Sequence, residues 1–303
     1  MASSLRIGID LGGTKIEGIA IDESGRELAR ERMPSPHGNY QATVDAIVGL
    51  VAEVERQAGG KAPAVGVGIP GMVSPATGMV KNANSTWLIG HPLDKDLAAA
   101  LGRPVRLEND ANCMAVSEAA DGVAAGADVV FGVILGTGVG GGVVVRSKVL
   151  RGRNAIAGEW GHNPLPWQRP EENDGRCCWC GKVGCLETWL SGPAFAKDYA
   201  AHGGRDGVDP AGIVALADLD DPFARAALDR YEGRLARALA TALNLLDPDV
   251  VVLGGGMSNV TSLYERVPRL WSDWAFSDRI DTQLRQAVHG DSSGVRGAAW
   301  LWP

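Results

Sequence analysis

A strand-turn-strand unit occurs twice in this chain, and the repetition limits the folds open to it more than any other feature. In the first copy, within Leu5–Ile21, Ile7, Ile9 and Leu11 alternate with Gly8 and Asp10, the period of a β-strand. Gly12 and Gly13 permit a tight turn, and Ile16–Ile21 doubles back as a second strand. The second copy, Val130–Val145 (VFGVILGTGVGGGVVV), repeats the design around Gly136-Thr137-Gly138. Such a hairpin lays backbone N–H groups around a concavity, with Thr14 and Lys15 beside the first one, which suits phosphate. A single Gly-Gly between apolar runs is ordinarily just a turn; the echo gives it weight. A third glycine run, Gly254-Gly255-Gly256, follows the apolar strand Val250–Leu253 and would let backbone approach a base or ribose.

Between and after the repeats, strands alternate with helices. Tyr40–Gln57 reads as a helix with Val44, Ile47, Val48, Val51 and Val54 on one face, stopped by Gly59-Gly60. Ala64–Ile69 is a buried strand running into Pro70-Gly71, the kind of strand end where α/β folds bind ligands. Val105–Leu107 is a strand that precedes a helix over Ala111–Asp121, and Pro222–Leu246 is a long helix striped by Leu235, Leu239, Leu243 and Leu246. This alternation predicts a mainly parallel sheet with helices on both faces, built twice as two related lobes. The expected division is a small lobe of residues 1–117 plus 289–303 and a large lobe of 118–288. At 303 residues the chain can form both.

A net charge of −7 and no run of lysine or arginine argue against a nucleic-acid partner. Neither a leader peptide at Met1–Ser4 nor an apolar run long enough for a membrane span is visible, so a cytoplasmic protein with no membrane partner is expected. The P-loop pattern GxxxxGK[ST] is missing and the first turn is not GxGxxG, which sets aside P-loop and dinucleotide folds.

Asp10, at the end of the first strand beside the expected phosphate site, would repel phosphate unless a cation intervened; its natural role is to hold Mg²⁺. Asp110 follows a strand and opens a helix, where it can serve as an N-cap or as the base that takes a proton from an attacking hydroxyl. Asn109 would orient a neighbouring hydroxyl, and Asn84 with Glu159 adds the mixture of donors and acceptors a polyhydroxyl substrate needs. The segment Arg151–Thr188 is loop-rich and carries four of the five cysteines. Cys178, Cys180 and Cys185, spaced by glycines, supply thiolates, and His162 supplies an imidazole, a closed set that fits structural zinc. Cys177 can exchange with Cys178 on spacing alone, and Glu187 follows the last ligand closely enough to be fixed by the metal.

Taken together these segments resemble the ROK family of sugar kinases and repressors within the actin-like ATPase superfamily. The resemblance rests on DLGGTK at Asp10–Lys15, GIPG at Gly68–Gly71, ENDAN at Glu108–Asn112 and GTG at Gly136–Gly138. It continues with GEWGH at Gly158–His162, CWCGKVGCLE at Cys178–Glu187 and GGG at Gly254–Gly256. Within the family, Asn82–Trp87, Gly161–Pro166 and His289–Trp300 look most like bacterial fructokinases of the manno(fructo)kinase kind. The resemblance implies an α/β, two-lobed, ribonuclease H-like ATPase fold with duplicated β-hairpin/βαβ lobes and a zinc loop inserted at about 158–187. It further implies ATP in the cleft between lobes, held by Gly12, Gly13, Thr14, Lys15, Gly136, Thr137, Gly138, Gly254, Gly255 and Gly256. It assigns Asp110 as catalytic base and Asn84, Asn109, Asp110, Glu159, His162 and Glu187 as sugar contacts, with His162, Cys178, Cys180 and Cys185 on zinc. Cys177 is then the spare thiol, and a homodimer is implied. The expected reaction is phosphorylation of fructose at its 6-OH; the alternatives are glucose, mannose, N-acetylglucosamine or N-acetylmannosamine as substrate. A sugar-responsive repressor is a further alternative, set back because its helix-turn-helix would have to precede a strand that starts at Leu5.

Overall fold

The computed structural model describes residues 5–302, so the leader expectation at residues 1–4 lies outside the described residues. The chain divides into two compact units: one of residues 1–126, 142–157 and 288–303, the other of 127–141 and 158–287. The first therefore takes in residues 118–126, 142–157 and 288, which the sequence reading had placed in the large lobe. Among the described residues no helix is long and apolar enough to cross a membrane.

The first unit holds β1 (Arg6–Leu11), β2 (Lys15–Ile21), β3 (Glu27–Pro34), α1 (Tyr40–Ala58) and β4 (Val65–Ile69). The small hairpin β5 (Met72–Val73) and β6 (Val80–Lys81) follows, then α2 (Leu93–Leu101), β7 (Val105–Asn109) and α3 (Asp110–Ala120). Its main sheet has the order β3-β2-β1-β4-β7, with β1 parallel to β4 and β4 parallel to β7. The register sets Asp10 opposite Gly68 and Ile69 opposite Asn109, so the carboxyl ends of three strands finish together. That alignment gathers the first unit's candidate residues described below.

Helix α1 is amphipathic as predicted. Asn39 caps it by accepting the Ala42 N–H, its face of Val44, Ile47, Val51 and Val54 is buried against Ile7, Ile9, Val65 and Val67, and Gly59 ends it at φ 72°. The opposite sheet face receives the C-terminal helix, whose Val295 and Ala299 are buried with Ile19 and Ile21. That helix approaches so closely that a Cβ on Gly66 would stand 1.8 Å from the Ala298 carbonyl oxygen. Gly66 is a contact requirement of the sheet rather than a turn.

The other sheet has the order β10-β9-β8-β11-β12, the same placement of hairpin strands and crossover strands. It comprises β8 (Val129–Leu135), β9 (Val139–Val145), β10 (Lys148–Val149), β11 (Val250–Gly254) and β12 (Gln283–Gln286). The sequence repeat is thus a repeat of topology. Helices α4 (Glu187–Leu190), α5 (Gly192–Ala201), α6 (Pro210–Asp218), α7 (Pro222–Leu246) and α8 (Leu263–Leu270) belong to the second unit, the end of β9 and all of β10 fall in the first, and α9 (Ser293–Ala299) is the C-terminal helix already described. Helices α5 and α6 were not anticipated.

Helix α7 buries two arginines as well as its leucine stripe. Arg234 bridges Glu172 (2.9 Å) and Asp198 (2.8 Å), and Arg237 reaches Glu172 at 2.6 Å. Burial alone would raise the Glu172 carboxyl, but Arg237, the Arg169 N–H and Arg234 overcome it and hold the group at about 2. Because the folded value lies below the unfolded one, the stability it confers is present above the ordinary glutamate range and is lost as pH falls toward about 2. Thermal melts between pH 5 and 2.5 are expected to show this loss; Glu172→Gln is expected to start lower and fall less steeply.

Candidate active site

In the first unit, Asn109 and Asn84 reach the turn that ends β4, and Asp10 and Asp110 lie at the neighbouring strand ends. Asn109 finishes β7 and caps α3: its side-chain oxygen accepts the Ala111 N–H at 2.9 Å, and its amide donates to Gly71 O at 3.4 Å. The capping role considered for Asp110 belongs to Asn109, and Asp110 is the first helical residue, with Oδ1 also accepting the Ala111 N–H at 2.8 Å. Asn84 is exposed on the polar loop, and its backbone N–H donates to Pro70 O at 3.2 Å, tying that loop to the same turn.

Asp10 completes the group. A Cβ on Gly68 or Gly294 would come within 3.3–3.4 Å of its carboxyl atoms, so these glycines leave the carboxylate its space. Burial, then the charges of Asp110 and Glu17, raise its pKa to about 7 against a smaller lowering by Lys15. A carboxylate that is hard to ionise beside a second carboxylate fits a divalent cation, which would supply the missing positive charge.

The adjoining Gly12–Lys15 turn is closed by the Gly12 N–H on Lys15 O at 3.0 Å. Gly13 has no positive φ and nothing within 4 Å of where a Cβ would lie; the same holds for Gly256 in the third glycine run. The fold itself leaves open space where a side chain would start at either place, so a backbone approach there by the phosphates of a nucleotide is sterically open. Gly13→Ala is therefore expected to leave the melting temperature nearly unchanged while raising the KM for ATP about tenfold, the cost of one displaced phosphate contact; equal KM values would show that the turn does not bind nucleotide.

In the second unit the zinc-type residues form a tight cluster. Donor atoms of His162, Cys178, Cys180 and Cys185 all lie within 4.8 Å of one another. Cys178 Sγ is 3.6 Å from His162 Nδ1, and Cys180 Sγ is 3.6 Å from Cys185 Sγ. A tetrahedron with Zn–S bonds of about 2.3 Å has edges of about 3.8 Å, so these separations fit the ion. Burial and the neighbouring thiols push Cys185 up to about 12, so a cation is what would allow the three sulfurs to ionise together. Cys177 is exposed, its sulfur directed to Gly175 O at 3.7 Å, and it stands outside the cluster. Nδ1 of His162 faces the thiols, leaving Nε2 for another partner.

The motif that carries His162 is anchored by Trp160, buried edge-on against Phe131 and donating its indole N–H to Ala238 O at 3.3 Å. Trp179, which the sequence reading passed over, sets its ring edge-on to His162 with centroids 5.2 Å apart. Its position between two ligands was the available signal. Glu187 begins α4 and faces both ways: Oε1 lies 3.6 Å from Cys178 Sγ, and Oε2 accepts the Val139 N–H at 3.1 Å, just after Gly136-Thr137-Gly138. Gly255, at φ 79°, packs against Leu135 and Gly136, so the second and third glycine runs meet within this unit. Glu159 lies half-buried next to Trp160.

Comparison with known proteins places this geometry. The ROK family matches residues 6–303. The chain belongs to the ROK family. An N-acetyl-D-glucosamine kinase of Escherichia coli O1:K1 is 44% identical over 303 residues, covering 97% of this chain and 98% of the relative. Among solved structures, the ROK hexokinase of Thermus thermophilus matches with TM-score 0.85 and 32% identity, over 98% of this chain and 97% of that one. A ROK glucokinase of Streptomyces griseus, in complex with glucose and AMPPNP, matches with TM-score 0.77 and 32% identity, over 98% of each chain. The α/β fold is accordingly that of the ROK sugar kinases. These ROK relatives bear the names of N-acetylglucosamine, hexose and glucose kinases, and the fructokinase expectation draws no support from them.

Proposed function

We propose that this chain is an ATP-dependent ROK sugar kinase that phosphorylates the 6-OH of N-acetylglucosamine, with glucose as a secondary substrate, in place of the fructose expected from sequence. The near full-length 44% identity to an N-acetyl-D-glucosamine kinase supports the sugar. The observation that carries the chemistry is the convergence of Asp10, Asn84, Asn109 and Asp110 on the carboxyl ends of β1, β4 and β7.

In this reading Asp110 accepts the proton of the sugar hydroxyl as its oxygen attacks the terminal phosphorus of ATP. Asn84 and Asn109 fix neighbouring hydroxyls, and Glu159, His162 Nε2 and Glu187 are read as further sugar contacts. The N–H groups of the Gly12–Lys15 and Gly136–Gly138 turns hold the phosphates, and Gly254–Gly256 lies against the nucleoside. Mg²⁺ near Asp10 would supply charge compensation for the transferring phosphoryl group, and zinc on His162, Cys178, Cys180 and Cys185 would supply structural order. Burial and the neighbouring carboxylates raise Asp10, and a cation at this place would favour its ionised form. The reading also takes the working form to be a homodimer, which light scattering on the eluted protein checks.

The deciding test is an ADP-release assay over fructose, glucose, mannose, N-acetylglucosamine and N-acetylmannosamine. The highest kcat/KM is expected with N-acetylglucosamine. A preference for fructose would overturn the sugar assignment, and no ADP release with any of them would overturn the kinase.

A further inference from the structure

Glu187 joins two features that lie far apart along the chain. Its Oε2 takes the N–H of Val139, 48 residues away, where the Gly136–Gly138 turn runs into β9. Its backbone position is set two residues beyond Cys185, with the Leu186 N–H donating to Asn163 O at 2.8 Å, next to His162. Gly138 makes the approach feasible, since a Cβ there would stand 2.7 Å from Glu187 Oε2. The turn is held at its other end too: the Gly192 N–H donates to Gly136 O at 2.8 Å, just past α4. Gly161, beside His162, lies so close to Val139 that a Cβ would come within 2.0 Å of its carbonyl oxygen.

A turn containing glycine at both Gly136 and Gly138 has much backbone freedom to lose when it orders around a ligand. Fixing its two ends before the ligand arrives removes part of that cost. We propose that Glu187 is a positioning residue for the phosphate-binding turn, transmitting to Gly136–Gly138 the placement set by the zinc cluster, so that nucleotide binding depends on the metal. The two carboxylate oxygens face different ways, Oε1 toward Cys178 Sγ at 3.6 Å and Oε2 on the Val139 N–H of the turn. This rests on the reading of Gly136–Gly138 as a nucleotide contact and adds to it a link from the zinc cluster.

The test is calorimetric titration of AMPPNP, without sugar, into the zinc-loaded full chain, with zinc measured by elemental analysis. Wild type, Glu187→Gln and Glu187→Ala are compared before and after zinc removal. Glu187→Ala is expected to keep its zinc and lose about tenfold in AMPPNP affinity, the worth of one charge-assisted hydrogen bond. Glu187→Gln, whose amide oxygen can still accept the Val139 N–H, is expected to stay within about threefold of wild type. Zinc removal should weaken wild type by a similar factor and Glu187→Ala hardly further, because both act through one link. Wild-type affinity in Glu187→Ala, or losses that simply add, would overturn the proposal. Failure of the zinc-loaded wild type to bind AMPPNP would instead overturn the nucleotide-site reading beneath it.

Discussion

Asp110→Asn is expected to lower turnover by a factor of about 10²–10⁴ while leaving sugar affinity within about threefold, because only the proton-accepting charge is removed. Asparagine keeps the shape and can still accept the Ala111 N–H that Asp110 Oδ1 takes at 2.8 Å, so the start of α3 should be undisturbed. The helix does not depend on Asp110 for its cap, which Asn109 provides. Steady-state kinetics with direct sugar titration checks both halves of the statement. Turnover within tenfold of wild type would place the base elsewhere, whereas a loss confined to KM would make Asp110 a binding residue only.

The second large effect is expected at the zinc cluster. Cys185→Ser should reduce bound zinc from about one per chain to a small fraction, since serine is a poor zinc donor at neutral pH. Loss of a structural metal belongs among the substitutions that cost on the order of 4 kcal/mol or more, and roughly a 10 °C lower melting temperature follows for a unit of this size. Cys177→Ser serves as the contrast. Its sulfur is exposed and outside the cluster, so metal content and melting temperature should both be retained. Zinc uptake should also release protons, because burial and the neighbouring sulfurs keep Cys185 a thiol until the metal arrives. A metal-free protein with unchanged stability would remove the cluster from the account.

What could be read from the residues divides along physical lines. The duplicated hairpin was legible because alternation and a glycine turn are local signals, and the two sheets do share one strand order. The clustering of His162 with Cys178, Cys180 and Cys185 was legible because cysteine spacing is distinctive, and the geometry leaves Cys177 outside that cluster. Helix α6 was missed although its signal was present: Asp209 caps it and Pro210 opens it, the same pairing as Asp221 and Pro222 at the start of α7. Only α7 had a leucine stripe to draw attention. Helix α5, capped by Ser191, likewise lacked a strong stripe. The cap of α3 was assigned one residue late, to Asp110 and not Asn109, because both side chains accept the same N–H and only the backbone shows which residue lies outside the helix.

Contacts between distant segments were not legible at all. Gly66 looks like an ordinary strand glycine until α9 is seen against it, and Gly138 looks like a phosphate-turn glycine until Glu187 is found beside it. Gly13 and Gly256 show the reverse case, since nothing in the fold lies within 4 Å of where a Cβ on either would stand.

Phosphorus NMR of the product formed from ATP and N-acetylglucosamine tests the central claim most directly. The account predicts ADP and a sugar 6-phosphate in equal amounts, the new phosphorus signal coupled to the two protons on C6. ADP with inorganic phosphate and no phosphosugar, or a phosphate on another hydroxyl, would contradict it.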